Sequence, residues 1–92
     1  MRVKVGFFGV MERLAGSPSI ELELPDGSTC GEAMRHLGKS LGDRLPAEVW
    51  DAEQEVFTPL VSIFVDYTEV EDLGQPLRNG SGVLMIMPLA GG

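Results

Sequence analysis

The feature that most constrains how this chain can fold is a single well-defined helix between short alternating segments. Thr29 and Glu32 fit a capping box, in which each side chain accepts a hydrogen bond from the other residue's backbone amide. The helix is predicted to run to about Leu41, with apolar residues at helical spacing and Gly42 as its stop. Strands before and after one helix predict an α+β domain with a mixed sheet.

The segments on either side of the helix alternate apolar and polar residues, as half-buried β-strands do. The predicted strands cover residues 2–8, 20–24, 61–66 and 83–88. One helical turn near Met11 is predicted to separate the first two, and glycine- and proline-rich turns flank the others. Residues 43–55 have no clear period. They fit either a short helix and turn or a mobile loop.

Length and charge exclude several classes of function. A chain of 92 residues fits one domain, residues 1–92, with little room for a deep internal active site. Its 14 acidic and 7 basic residues give a net charge of −7, which argues against binding to nucleic acid. An acidic surface suits a basic protein partner, although charge also simply keeps a small protein soluble. No apolar run is long enough for a membrane span, and we expect a cytoplasmic protein.

The side chains do not indicate a catalytic or metal site. Cys30 and His36 are the only residues of their types, so neither a disulfide nor a zinc site of the usual kind can form. We expect Cys30 to be a small packing residue and His36 an exposed helix residue. The glycine-rich segment 79–82 precedes a strand, whereas phosphate-binding loops lead into a helix. We expect no bound metal or cofactor, and a chain that is not itself an enzyme.

The last strand is unusual because both of its faces are apolar. In residues 83–87 the odd positions fill one face, which leaves Leu84 and Ile86 on the other. A sheet with a helix on one side normally has a polar free face. These two residues, joined by Phe64, therefore predict a partner interface. The alternative is that a loop, or residues 43–55, covers them.

The sequence ends in a thin segment that offers no stability to a domain. It consists of Pro88, Leu89, Ala90, Gly91 and Gly92. We expect a flexible Gly-Gly tail that can enter a channel too narrow for any Cβ, with Pro88 stopping the strand before it. A terminal carboxylate is ionised and unreactive. Activation by ATP to an acyl adenylate would supply a leaving group that a sulfur nucleophile could replace.

Several of these segments together carry a family resemblance. They are the strand at residues 3–8, the capped helix from Thr29, the turn at 77–80, the strand at 83–87 and the tail. The chain resembles the MoaD/ThiS family of ubiquitin-like sulfur carriers, and most closely its molybdopterin synthase small subunits. The resemblance implies a β-grasp fold, with a sheet of four to five strands on one main helix. Ser81 and the pair Asp66-Tyr67 depart from the family's usual residues and bear on the subfamily.

The resemblance also implies a role for the tail. Gly92 would be adenylated by a ubiquitin-activating-type enzyme, which uses ATP, and converted to a thiocarboxylate with sulfur from a donor protein. The large subunit of molybdopterin synthase would then take up the tail, with Gly91, Ala90, Leu89 and Pro88 as the threading residues. The apolar face that carries Leu84 and Ile86 would dock on these partners.

Other functions fit the same residues. A carrier for thiazole or cysteine biosynthesis would use the same tail with a different sulfur acceptor. A ubiquitin-like modifier would join Gly92 to a lysine of another protein. A β-grasp binding module would carry the two terminal glycines by accident.

Overall fold

The computed structural model describes residues 1–87, and the predicted tail at residues 88–92 lies outside the described residues. Within the described part, the elements follow one another as β1 Arg2–Gly9, α1 Val10–Ala15, β2 Ser19–Glu23, α2 Cys30–Leu41, a 3-10 helix Gly42–Arg44, β3 Trp50–Asp51, β4 Val56–Phe57, β5 Ser62–Val65, β6 Thr68–Glu69 and β7 Gly82–Met87. None of these helices is long and apolar enough to cross a membrane.

Five of the strands form one mixed sheet in the order β2-β1-β7-β5-β6. The first and last strands, β1 and β7, lie side by side and run parallel, while every other pair in this sheet is antiparallel. Alternation puts Val3, Val5 and Phe7 on one face of β1, where they are buried with Val83 and Met85 of β7. This inner face packs against α2, so the predicted α+β fold of strands on one main helix is confirmed.

The predicted capping box starts α2. The Thr29 hydroxyl accepts a hydrogen bond from the Glu32 amide at 3.1 Å, and the Glu32 carboxylate accepts one from the Thr29 amide at 2.9 Å. The helix ends at Leu41, as predicted, and Gly42 is its C-cap. Ala33 and Leu37 on its apolar side are completely buried. Helix α2 therefore contributes one continuous stripe to the core.

The segment between α2 and β5 contains a second, smaller sheet. Neither alternative predicted for residues 43–55, a short helix and turn or a mobile loop, describes this sheet. Strands β3 and β4 pair as a short hairpin after the 3-10 helix, and Trp50 packs edge-on against Phe57 with ring centroids 4.8 Å apart. The hairpin lies on α2, where a Cβ on Gly38 would come within 2.2 Å of the Trp50 ring. Lys39 also pairs with Glu55 of the hairpin at 3.3 Å. Because Gly38 has no side chain, the Trp50 ring can pack directly against the helix at this position.

Candidate functional site

The outer face of the large sheet, opposite α2, carries four apolar side chains at its centre. The ladder places Phe8 of β1 beside Ile86 of β7, and Phe64 of β5 beside Leu84 of β7. Because side chains alternate along each strand, these four project away from the buried Val83 and Met85. We call Phe8, Phe64, Leu84 and Ile86 the apolar patch.

The apolar patch is accessible from solvent. Phe8 keeps 53% of its surface exposed, while Phe64, Leu84 and Ile86 are half-buried. Leu84 leans over its neighbour Gly6, where a Cβ would lie 3.3 Å from the Leu84 Cδ1 atom. The hairpin of residues 50–57 packs on α2, on the opposite side of the sheet, and so does not cover the patch. The docking role of the patch stays a prediction.

Charged residues flank the patch unequally on its two sides. Towards β2, Arg2 pairs with Glu23 at 2.9 Å and with Glu21 at 3.4 Å, and Lys4 lies opposite Glu21 in the ladder, so that two cations accompany the two carboxylates there. These carboxylates raise the pKa of the Arg2 guanidinium, and the hydrogen bond with Glu23 is the largest cause. Towards β6, Glu69 lies opposite Phe64 and is exposed. Among residues 1–87, Glu69 takes part in no salt bridge.

The lone cysteine and histidine do not meet. Cys30 is completely buried in the core, and burial raises the pKa of its thiol to about 11. A protonated, inaccessible thiol is a poor nucleophile. His36 lies on the exposed side of α2, as predicted. Within residues 1–87, no three His, Cys, Asp or Glu side chains are grouped so that they could hold a metal ion.

Comparison with known protein families identifies the family to which this chain belongs. The sequence model of the ThiS family matches residues 5–92. The chain belongs to the ThiS family. Proteins of this kind are small ubiquitin-like sulfur carriers, so the predicted family resemblance is confirmed. No curated protein matches the chain in sequence.

Solved structures similar to this ThiS-family chain cover nearly all or all of its length. SAMP1 from Haloferax volcanii has a TM-score of 0.84 at 17% identity, with 100% of both chains covered. A proposed molybdopterin converting factor subunit 1 from Pyrococcus furiosus has a TM-score of 0.72 at 25% identity, covering 97% of this chain and 99% of that one. A chain from the complex of subunits 1 and 2 of the molybdopterin-converting factor of Helicobacter pylori has a TM-score of 0.63 at 18% identity, with 100% of both covered. The predicted ubiquitin-like β-grasp fold is confirmed.

The fold of this ThiS-family chain brings the three predicted interface residues together. The predicted reactive residue, Gly92, stays a prediction. Phe64, Leu84 and Ile86 lie on one face of neighbouring strands, as the alternation indicated. Gly92 and the threading residues lie outside the described part of the chain.

Sequence reasoning also missed Phe8, the most exposed member of the apolar patch. A signal was present, because Phe8 is out of phase with Val3, Val5 and Phe7 and must therefore point to the outer face. The parallel pairing of β1 with β7 was not predicted from the sequence. That pairing is what places Phe8 beside Ile86.

Proposed function

We propose that this chain is the sulfur-carrying small subunit of molybdopterin synthase, with Gly92 as its reactive C-terminal residue. The observation that carries the proposal is the likeness to the Pyrococcus furiosus protein described as a molybdopterin converting factor subunit 1, at 25% identity over 97% of this chain. The sequence Pro-Leu-Ala-Gly-Gly at residues 88–92 supplies the chemical group that the function needs.

The chemistry begins with a carboxylate that has no leaving group. A Gly92 oxygen attacks the α-phosphorus of ATP in the activating enzyme, which forms the acyl adenylate and releases pyrophosphate. A hydrosulfide equivalent from a sulfur-donor protein then adds to the acyl carbon and expels AMP, which leaves the thiocarboxylate. The group of this chain that reacts in these steps is the Gly92 carboxylate. We infer that the partner enzymes perform catalysis, in the cytoplasm where ATP is supplied.

The partners would grip the chain by the apolar patch. Its exposed Phe8 and its half-buried Phe64, Leu84 and Ile86 can bury apolar surface against a partner, while the net charge of −7 steers the encounter with a basic surface. The Helicobacter pylori molybdopterin-converting factor was solved as a complex of its two subunits, which supports a large synthase subunit as one partner. The adenylating enzyme would be the other.

A ubiquitin-like modifier is the second candidate function. The likeness to SAMP1 of Haloferax volcanii, with a TM-score of 0.84, favours it. The modifier would share the activation step but would transfer Gly92 to a lysine amine. Carriers for thiazole or cysteine biosynthesis also share that step, and they differ only in the sulfur acceptor.

Intact-mass spectrometry tests the proposal. The chain is incubated with ATP, the adenylating enzyme of the same organism and a persulfide donor with a thiol reductant. We expect the carrier to exchange one carboxyl oxygen for sulfur and then to return to the carboxylate when the large synthase subunit and its pterin precursor are added. A chain that stays unmodified contradicts the carrier function. Isopeptide-linked products would favour the modifier.

The Ile86→Lys variant tests the docking face separately. Ile86 points outward from β7, the central strand of the sheet, so a lysine there introduces charge into the proposed interface without entering the core. We expect a large loss of affinity for the adenylating enzyme with an unchanged fold. Glu53→Lys, on the small hairpin, makes a surface control. Equal affinity of Ile86→Lys and wild type would remove the patch from the interface.

A further inference from the structure

The turn between β5 and β6 presents an aromatic side chain in a strained backbone. Only Asp66 and Tyr67 separate the paired residues Val65 and Thr68, and both have positive φ angles, 48° and 72°. Such two-residue hairpin turns favour glycine or asparagine, because a Cβ is disfavoured in the left-handed region. Tyr67 is nevertheless 96% exposed. It therefore accepts an unfavourable conformation without gaining packing in the free protein.

The position of this turn connects it to the apolar patch. Asp66 and Tyr67 line one side of a groove of about 540 Å³ whose other walls include Phe8 and Leu84 of the patch. Asp66 is fixed there, because its carboxylate accepts a hydrogen bond from the Gly82 amide at 3.0 Å. A partner that covers the patch would thus also reach the turn.

The charge on this side of the patch is acidic and unneutralised. Asp66, Glu69 and Glu71 all lie within six residues of the sequence, and none of them forms a salt bridge with another described residue. Lys4 is the cation that lines the groove, and it lies on β1, towards the opposite side. A partner with complementary charge would therefore place a positive group next to Tyr67 and Glu69 rather than next to Lys4.

We propose that Tyr67 and Glu69 together receive an arginine side chain of the adenylating enzyme. This inference rests on the proposed function, in which every pathway still open begins with that enzyme. Tyr67 lines the groove on the outer face, and Glu69 lies opposite the outward-facing Phe64, so both belong to the same side of the sheet. There a guanidinium would stack on the exposed Tyr67 ring and pair with the Glu69 carboxylate. The apolar patch supplies contact area. Tyr67 and Glu69 fix the orientation of the partner, because Glu69 is a negative charge without a salt bridge in the described residues, whereas Glu21 and Glu23 on the opposite side are accompanied by Arg2 and Lys4.

A charge-matched pair of variants tests the carboxylate. Glu69→Lys and Glu53→Lys change the net charge equally, but Glu53 lies on the small hairpin away from the patch. We expect Glu69→Lys to lower affinity for the adenylating enzyme by at least about tenfold at low salt, mainly through slower association, and Glu53→Lys to stay within about twofold of wild type. Equal losses in the two variants would mean that only net charge matters and would overturn the proposal.

Two variants of Tyr67 test the aromatic ring. Tyr67→Gly relieves the positive φ angle, so we expect its melting temperature to equal or exceed that of wild type while its affinity falls about tenfold. Tyr67→Phe keeps the ring and should keep the affinity. Wild-type affinity in Tyr67→Gly would overturn the stacking role. Failure of the proposed function itself is distinguishable, because it would appear in the wild-type chain as a missing thiocarboxylate or as a missing sulfur transfer to the pterin precursor, whereas failure of this inference appears only in the affinities of the variants.

Discussion

Phe7 and Phe8 are consecutive identical residues that the sheet puts to opposite uses. Phe7 is 1% exposed and lies in the core beneath α2, whereas Phe8 is 53% exposed and lies in the apolar patch. The same division separates Met85, which is buried, from its neighbour Ile86. In each pair the chemistry of the side chain is similar, and only the face of the strand differs.

The same two strands thus supply both a buried core face and an exposed apolar face, which in the proposed function is the docking face. One face of β1 and β7 supplies the apolar area that stabilises the domain, and the other is left available for a partner. A one-residue slip of either strand would exchange the two faces. Burial of Val5, Phe7 and Met85 on the inner face opposes such a slip and so fixes the register of the parallel ladder between β1 and β7.

Phe7→Ala should have the largest effect on stability. Removing a fully buried aromatic ring loses its transfer free energy and leaves a cavity, with an expected cost of about 3–5 kcal/mol. Chemical denaturation would measure this cost as a lower midpoint at an unchanged slope. A cost close to that of a surface substitution would show that the inner face is not the stabilising one.

Gly38→Ala sharpens the comparison on the helix side of the core. Glycine to alanine in a helix normally stabilises it, but here the new Cβ would lie 2.2 Å from the buried Trp50 ring. We expect a net loss of about 1–3 kcal/mol, measured by denaturation. Ser40→Ala, at an exposed position of the same helix, should slightly stabilise the protein. A Gly38→Ala variant that is more stable than wild type would contradict the close packing of Trp50 on Gly38.

The elements that the sequence predicted well are those in which local chemistry and burial agree. The capping box at Thr29 and Glu32 and the alternation in residues 2–8 and 83–87 are local patterns, and the structure follows them. The outward direction of Leu84 and Ile86 followed from the same alternation, without knowledge of the neighbouring strands.

The features that sequence reasoning missed depend on contacts between distant residues. Gly38 weakens a helix by propensity alone, and only the position of Trp50 explains it. The hairpin of Trp50–Asp51 with Val56–Phe57 is too short to show a period of two. The pair Asp66-Tyr67 stands out in the sequence as a departure from the family's usual residues, but turn preferences do not predict a tyrosine with a positive φ angle there.

Cys30 gives a test of the core that depends on pH. Its folded-state pKa of about 11 lies above the ordinary value of 9.0, because burial disfavours the thiolate. The thiol therefore contributes stability that is fully present below about pH 9 and is lost as pH rises towards 11. Across that window, wild type should lose about 2 kcal/mol more than Cys30→Ala, measured by denaturation at each pH. Parallel pH curves for the two proteins would contradict the buried thiol.

Phe8→Ala should have the smallest effect on the fold and should still impair function. Because about half of the Phe8 surface is already in contact with water, we expect a stability change of less than about 1 kcal/mol. Affinity for the adenylating enzyme should nevertheless fall about tenfold, since exposed aromatic residues at the centre of an interface contribute strongly to binding. Calorimetry would measure the affinity, and denaturation would measure the stability of the same sample. If Phe8→Ala destabilised the fold as much as Phe7→Ala and left binding unchanged, the outer face would be part of the core, and the division between the two faces would be wrong.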